Sequence, residues 1–164
     1  MKQTKNRKML VYICTAGVIG ALYTAITVLI GPLGNAAIQC RISEALCVLP
    51  IFTSAAIPGL TVGCLISNLI TGCLWQDVLF GTLATLIGAL GARLLRRLPY
   101  LTPLPTVVAN TVIVPLVLAY AYGAEEGIPL LMLTVGVGEI ISAYVLGLAL
   151  YFALRRNATY IFRY

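Results

Sequence analysis

The sequence predicts an all-α integral membrane protein: a single domain of six transmembrane helices, with N- and C-termini both cytoplasmic. Three observations predict it. Of 164 residues, 60% are hydrophobic and only 10% charged, with a mean hydropathy of +1.00, whereas a soluble domain carries roughly 45–50% apolar and about 25% charged residues. Apolar runs long enough to cross a bilayer core, about 20 residues each, follow one another with short breaks. The basic residues cluster between those runs, as they do in cytoplasmic loops.

The first span covers about residues 9–30. Its apolar run of about 22 residues exceeds the ~7–15 of a signal-peptide core, so it is expected to be a retained helix. Gly31, Pro32 and Gly34 break it, and a polar stretch with Asn35, Gln39, Arg41, Ser43 and Glu44 follows. From 45 to 75 the chain is apolar for 31 residues, interrupted by Pro50, Thr53-Ser54 and Pro58-Gly59. That stretch is either one kinked helix or two short ones. Further spans fall at 78–95, 103–122 and 129–154.

Charge decides between the two. With spans at 43–53 and 55–72 there are six crossings, and ten of the eleven basic residues are cytoplasmic. They are Lys2, Lys5, Arg7 and Lys8, then Arg93, Arg96 and Arg97, then Arg155, Arg156 and Arg163; Arg41 alone lies outside. With a single span, the 93–97 triplet and the C-terminal pair move to the outer face. In the six-span arrangement the outer segments are 31–43, 72–77 and 123–128, and the Asn157-Ala158-Thr159 sequon is a chance cytoplasmic match.

Several function classes fall away. The net charge of +6 sits in short clusters and not along one amphipathic face, so it does not mark a nucleic-acid binder. Cys14, Cys40, Cys47, Cys64 and Cys73 are dispersed without a Cys-x-x-Cys pair, and there is no histidine. Zinc, haem attachment and a disulfide framework are therefore not expected, and the cysteines read as small apolar packing residues. No cofactor or metal is expected. An intramembrane enzyme lacks the commonest general base, so no catalytic residue is assigned.

Four charged groups lie in or beside spans: Arg41, Glu44, Asp77 and Glu139. A charge at a helix centre costs about 2.5–3.5 kcal/mol on insertion scales, so such residues face a protein interior or a wet cavity and count as functional candidates. Arg41, Glu44 and Asp77 mark outer ends of spans, and Glu139 lies about ten residues into the last span. One outward-opening cavity accommodates all four. Arg41 and Glu44, three apart, share a helical face and can pair. With the amides Gln39, Asn68 and Asn110 and the single tryptophan, Trp75, the candidate solute-binding set is Gln39, Arg41, Glu44, Asn68, Trp75, Asp77, Asn110 and Glu139.

Plainer roles compete. Trp75 suits an interfacial anchor, Arg41–Glu44 a structural pair, and Asn68 and Asn110 interhelical hydrogen-bond glue. Glu139, mid-helix with no basic residue inside the membrane, is the hardest to explain structurally. On the first span Gly17, Ala21 and Ala25, with Gly20 beside them, make a smooth strip for close helix packing. The strip serves either internal packing or docking of a partner. Glu125-Glu126 reads as a solvated turn.

The runs IQCRISEALCVLPIF, AAIPGLTVGCLISNLITG, DVLFGTLATLIGAL, LPTVVAN and VGVGEIISAYVLG resemble the QueT family. These are queuosine-precursor transporters, the S components of energy-coupling-factor (ECF) transporters, and the resemblance covers about residues 9–154. It implies an S-component-like bundle in a bacterial plasma membrane, without an ATPase of its own, working with a transmembrane coupling subunit and two cytoplasmic ATPases. The segment Ala21-Leu22-Tyr23-Thr24-Ala25 resembles the Ala-x-x-x-Ala docking face of such components, completed by the Pro58-Gly59 region. The absence of a Gly-x-x-x-x-Gly-Lys-Ser/Thr motif is consistent with this.

The implied ligand is a 7-deazaguanine. Such a base presents a ring N–H beside an exocyclic amine, which one carboxylate accepts as a pair. Gln39, Asn68 or Asn110 can answer its carbonyl edge, a second acid such as Asp77 or Glu44 suits an aminomethyl arm, and Tyr23, Trp75 or Tyr120 can stack. Which acid takes which role stays open. The rivals are an S component for a different vitamin, since fold alone does not give the ligand, and a structural membrane protein that does not transport.

Overall fold

The computed structural model describes residues 5–30 and 41–162, and every regular element among them is helical. Helix α1 spans Lys5–Ile30, a 3-10 helix Ile42–Ile51, α2 Ala56–Ile70, α3 Trp75–Leu94, α4 Leu104–Tyr120 and α5 Ile128–Glu139. A π-helical segment, Ile140–Leu146, carries α5 without a break into α6, Gly147–Leu154, and a short α7, Ala158–Ile161, follows.

Taking α5 to α6 as one rod, six segments alternate in direction. One end gathers Tyr12, whose hydroxyl reaches the Ser54 carbonyl, Arg93, and a stack of Phe52 with Tyr151 and Phe162. Arg155 lies over the Phe152 ring there. The opposite end gathers Arg41, Leu74, Asp77 and Tyr122.

Among the described residues, four helices are long and apolar enough to cross a membrane: Lys5–Ile30, Trp75–Leu94, Pro99–Tyr120 and Ile128–Leu154. The 45–75 stretch divides in two at Thr53-Ser54, but both pieces are short. At ~2.0 Å per residue the 3-10 helix extends about 20 Å, and at ~1.5 Å per residue α2 extends about 22 Å. Pro58-Gly59 is not a break. It lies in the first turn of α2, where the missing proline N–H has no helical partner to lose.

The 3-10 helix is unusual, because such runs rarely exceed three or four residues. It persists because it is enclosed, packed on α1, α2, α3, the π segment and α6. Ser43, Glu44, Cys47, Val48, Leu49 and Pro50 are all buried. Arg93 closes its end by donating from one guanidinium nitrogen to the carbonyls of Pro50 (2.9 Å) and Ile51 (3.3 Å). Irregular backbone at membrane depth is tolerated only where protein surrounds it in this way.

Helices α1 and α2 approach at backbone distance. A Cβ on Gly20 would stand 2.9 Å from the Gly59 carbonyl oxygen, and one on Gly59 2.6 Å from that of Ala16. Gly20 is thus an internal packing residue. At the far end of α2, Gly72 at φ +72° lets the N–H of Cys73 return to the Asn68 carbonyl (3.0 Å), which satisfies the last turn.

The polarity of the fold is inverted relative to a soluble domain. Leu29, Leu69, Leu94 and Leu133 project outward, while Ser43, Glu44, Asn68, Asp77, Asn110, Glu139 and Ser142 are buried. An apolar exterior wrapped around polar groups is what a hydrocarbon solvent demands.

Candidate solute-binding site

The buried polar residues converge. Glu44 enters from the 3-10 helix and is 1% exposed. Both of its oxygens are occupied: the Tyr23 hydroxyl of α1 donates to Oε1, and the Cys47 thiol to Oε2 at 2.9 Å. One turn along α1, the Thr27 hydroxyl lies 2.8 Å from that of Ser43. Two polar contacts therefore tie α1 to the 3-10 helix.

Glu139 comes from the opposite wall, at the last residue of α5, and is 3% exposed. It stands within electrostatic range of Glu44 and Arg41, with the Asn110 amide beside it. Among the described residues, its Oε2 has no hydrogen-bond partner. The π segment begins at the next residue, and Ser142 and Ala143 follow Glu139 to the interior. Such π turns recur at functional sites. A buried acceptor without a donor costs about 1–3 kcal/mol or more when charged, so the position calls for a partner that the described residues do not supply.

Asn68 and Asp77 form a second layer. Both side chains flank Gly81, where an added Cβ would meet Asn68 Nδ2 at 3.2 Å and Asp77 Oδ1 at 3.3 Å. Asn68 donates to the Cys64 sulfur (3.7 Å). Asp77 is the acceptor of a rim network: Tyr122 donates to its Oδ2 (3.2 Å), and the Leu74 N–H donates to Tyr122 (3.1 Å). Arg41 lies 3.9 Å from the same Oδ2. Burial alone would weaken the Arg41 charge, but Tyr23, Cys64, Asp77 and Glu44 around it outweigh that and raise its pKa.

Two expectations change, and a third lies beyond what the structure describes. Arg41 pairs with Asp77 and not with Glu44, because its backbone is extended (φ −96°, ψ 96°) before the 3-10 helix begins, so the two do not share a helical face. Trp75 is 69% exposed and Tyr120 80% exposed, so both face outward and neither joins the cluster as a stacking surface. Gln39 lies outside the described residues. Glu44, Asn68, Asn110 and Glu139 come together in the interior, with Arg41 and Asp77 at its rim.

Sequence reasoning gave no polar role to Cys47 or Thr106. Cys47 is buried as expected of a packing residue, yet its thiol serves Glu44 and lies near Thr106 and Glu139. The Thr106 hydroxyl is buried without a hydrogen-bond partner among the described residues. The three-residue spacing of Glu44 and Cys47 was the available signal, since it fits one 3-10 turn.

The strip on α1 is open. Gly17, Ala21 and Ala25 are exposed, and a Cβ on Gly17 would meet nothing within 4 Å. With Pro58, Gly59 and Val62 of α2 they line a groove of about 820 Å³ on the outside of the bundle.

A family model described as QueT transporter matches residues 13–156. The chain belongs to the QueT transporter family. The match takes in all six helical segments of this QueT-family chain and makes it a membrane transport protein. Neither curated proteins nor solved structures give a match.

Proposed function

We propose that the chain is the solute-capturing S component of an ECF-type importer and binds a queuosine precursor, a 7-deazaguanine, from outside for ATP-driven uptake. The observation that carries this reading is Glu139: a carboxylate buried at mid-depth, within electrostatic range of Glu44, with an oxygen that no described donor satisfies. A ligand edge of adjacent N–H groups supplies that donor. Asn110 and Asn68 offer both donors and acceptors to the remaining edges. The family supports transport, and the deazaguanine follows from the motif resemblance together with this acceptor-rich interior.

In this reading the six segments all cross the bilayer, the basic end around Arg93 and Arg155 is cytoplasmic, and both termini lie there. The rim of Arg41, Asp77 and Tyr122 faces outward. The groove at Gly17, Ala21 and Ala25 is where the transmembrane coupling subunit docks, since small side chains on an otherwise bulky apolar surface let another helix approach closely. Two cytoplasmic ATPases complete the importer.

A thermal-shift screen of the purified chain in detergent, with 7-deazaguanine precursors against other vitamins, tests it. A shift confined to deazaguanines is the expected result. A shift with a different vitamin would reassign the substrate, and none with any solute would remove the binding role.

A further inference from the structure

The geometry points to Tyr23 as the positioning residue of the solute site, acting through Glu44; this rests on the proposed function. Two buried acids, Glu44 and Glu139, lie within electrostatic range of one another, and they differ in one respect. Among the described residues, nothing donates to Glu139 Oε2. Glu44 has no oxygen to spare, because Tyr23 holds Oε1 and Cys47 holds Oε2. A ligand N–H pair therefore meets Glu139, while Glu44 is held by the protein and supplies a fixed negative field across from it. Cys47 lies on the same short helix as Glu44, so it fixes the carboxylate only relative to that helix. Tyr23 fixes it relative to α1.

Tyr23 is suited to this. It is 1% exposed, its ring packs in the core with Leu60 and Cys64, and its hydroxyl donates to the Glu44 carboxylate. The Thr27–Ser43 contact one turn away holds the two helices in register. The outward neighbours of Tyr23 on α1 are Ala21 and Ala25, which line the groove. One helix thus carries the anchor of Glu44 on its buried side and the small-residue strip on the other. Removing the hydroxyl frees Glu44 to turn, and the ligand position at Glu139 loses its fixed counter-charge.

Isothermal titration of the purified full chain with 7-aminomethyl-7-deazaguanine tests this in a double-mutant cycle. Tyr23→Phe keeps the ring and is expected to weaken binding about threefold to tenfold, the scale of coupling between groups in one network. In a Glu44→Gln background the same substitution is expected to change affinity by less than about twofold, because no charge remains to be held. Losses that multiply would overturn the inference and make Tyr23 a packing or ligand-stacking residue. Should Tyr23→Phe melt too low to titrate, the rise in melting temperature on adding the same ligand is compared across the four proteins of the cycle, with the same two outcomes. Binding that is absent even in the unmodified chain would overturn the function reading itself, and this inference with it.

Discussion

Replacing Glu139 by Gln tests the site most directly. The side chain keeps its size and depth but loses its charge and exchanges one acceptor for an N–H₂ donor. The structure offers one unpartnered oxygen, Oε2, so the ligand loses one charge-assisted hydrogen bond, about 1.5–3 kcal/mol. In affinity that is roughly tenfold to a hundredfold. The ligand-free protein should respond in the opposite sense. Glu139 is buried within electrostatic range of a second acid, Glu44, and an amide there avoids burying two acids together, so the melting temperature without ligand should hold or rise. Isothermal titration and thermal melts of the same preparation read both quantities. Unchanged affinity with a lowered melting temperature would refute the reasoning, and Glu139 would then be a structural residue with the site rebuilt around Glu44 and Asp77.

Other outcomes follow from the surface and the packing. Ala21→Trp or Ala25→Trp should fill the groove and block uptake in cells carrying the whole importer while leaving solute affinity of the isolated chain within about twofold; an equal loss of affinity would show that the strip packs internally. Gly59→Ala should destabilise by about 1–3 kcal/mol through overpacking against α1, whereas Gly17→Ala, with nothing nearby, should be neutral or gain up to about 1 kcal/mol from helix propensity. Melting curves compare the pair, and similar destabilisation by both would contradict the α1–α2 contact. Single cysteines placed near Arg96 and near Arg156 should react with impermeant thiol reagents only from the cytoplasmic side; labelling from outside at either would refute the six-crossing arrangement.

The sequence by itself determined the class. Apolar excess and run length dictate a helical membrane protein because a backbone in hydrocarbon must satisfy its own polar groups. That the 45–75 stretch forms two segments followed from clusters of arginine that local composition displays directly; that they part at Thr53-Ser54 and not at Pro58-Gly59 came from the structure. Glu139 stood out for the same reason: a carboxylate inside an apolar run is visible without any fold. Which residues meet was not visible. The Arg41–Glu44 spacing suggested a pair, but spacing fixes contacts only inside a regular helix, and Arg41 precedes one. Trp75 and Tyr120 are amphipathic aromatics whose facing depends on how α3 and α4 rotate against neighbours far away in sequence. The 3-10 conformation of 42–51 is likewise a tertiary outcome, since such a helix holds only when other helices enclose it. Tertiary structure alone decided that Tyr23 and Cys47 take both oxygens of Glu44 and leave Glu139 unanswered, because a hydrogen bond between side chains 21 residues apart depends on packing that no local pattern encodes.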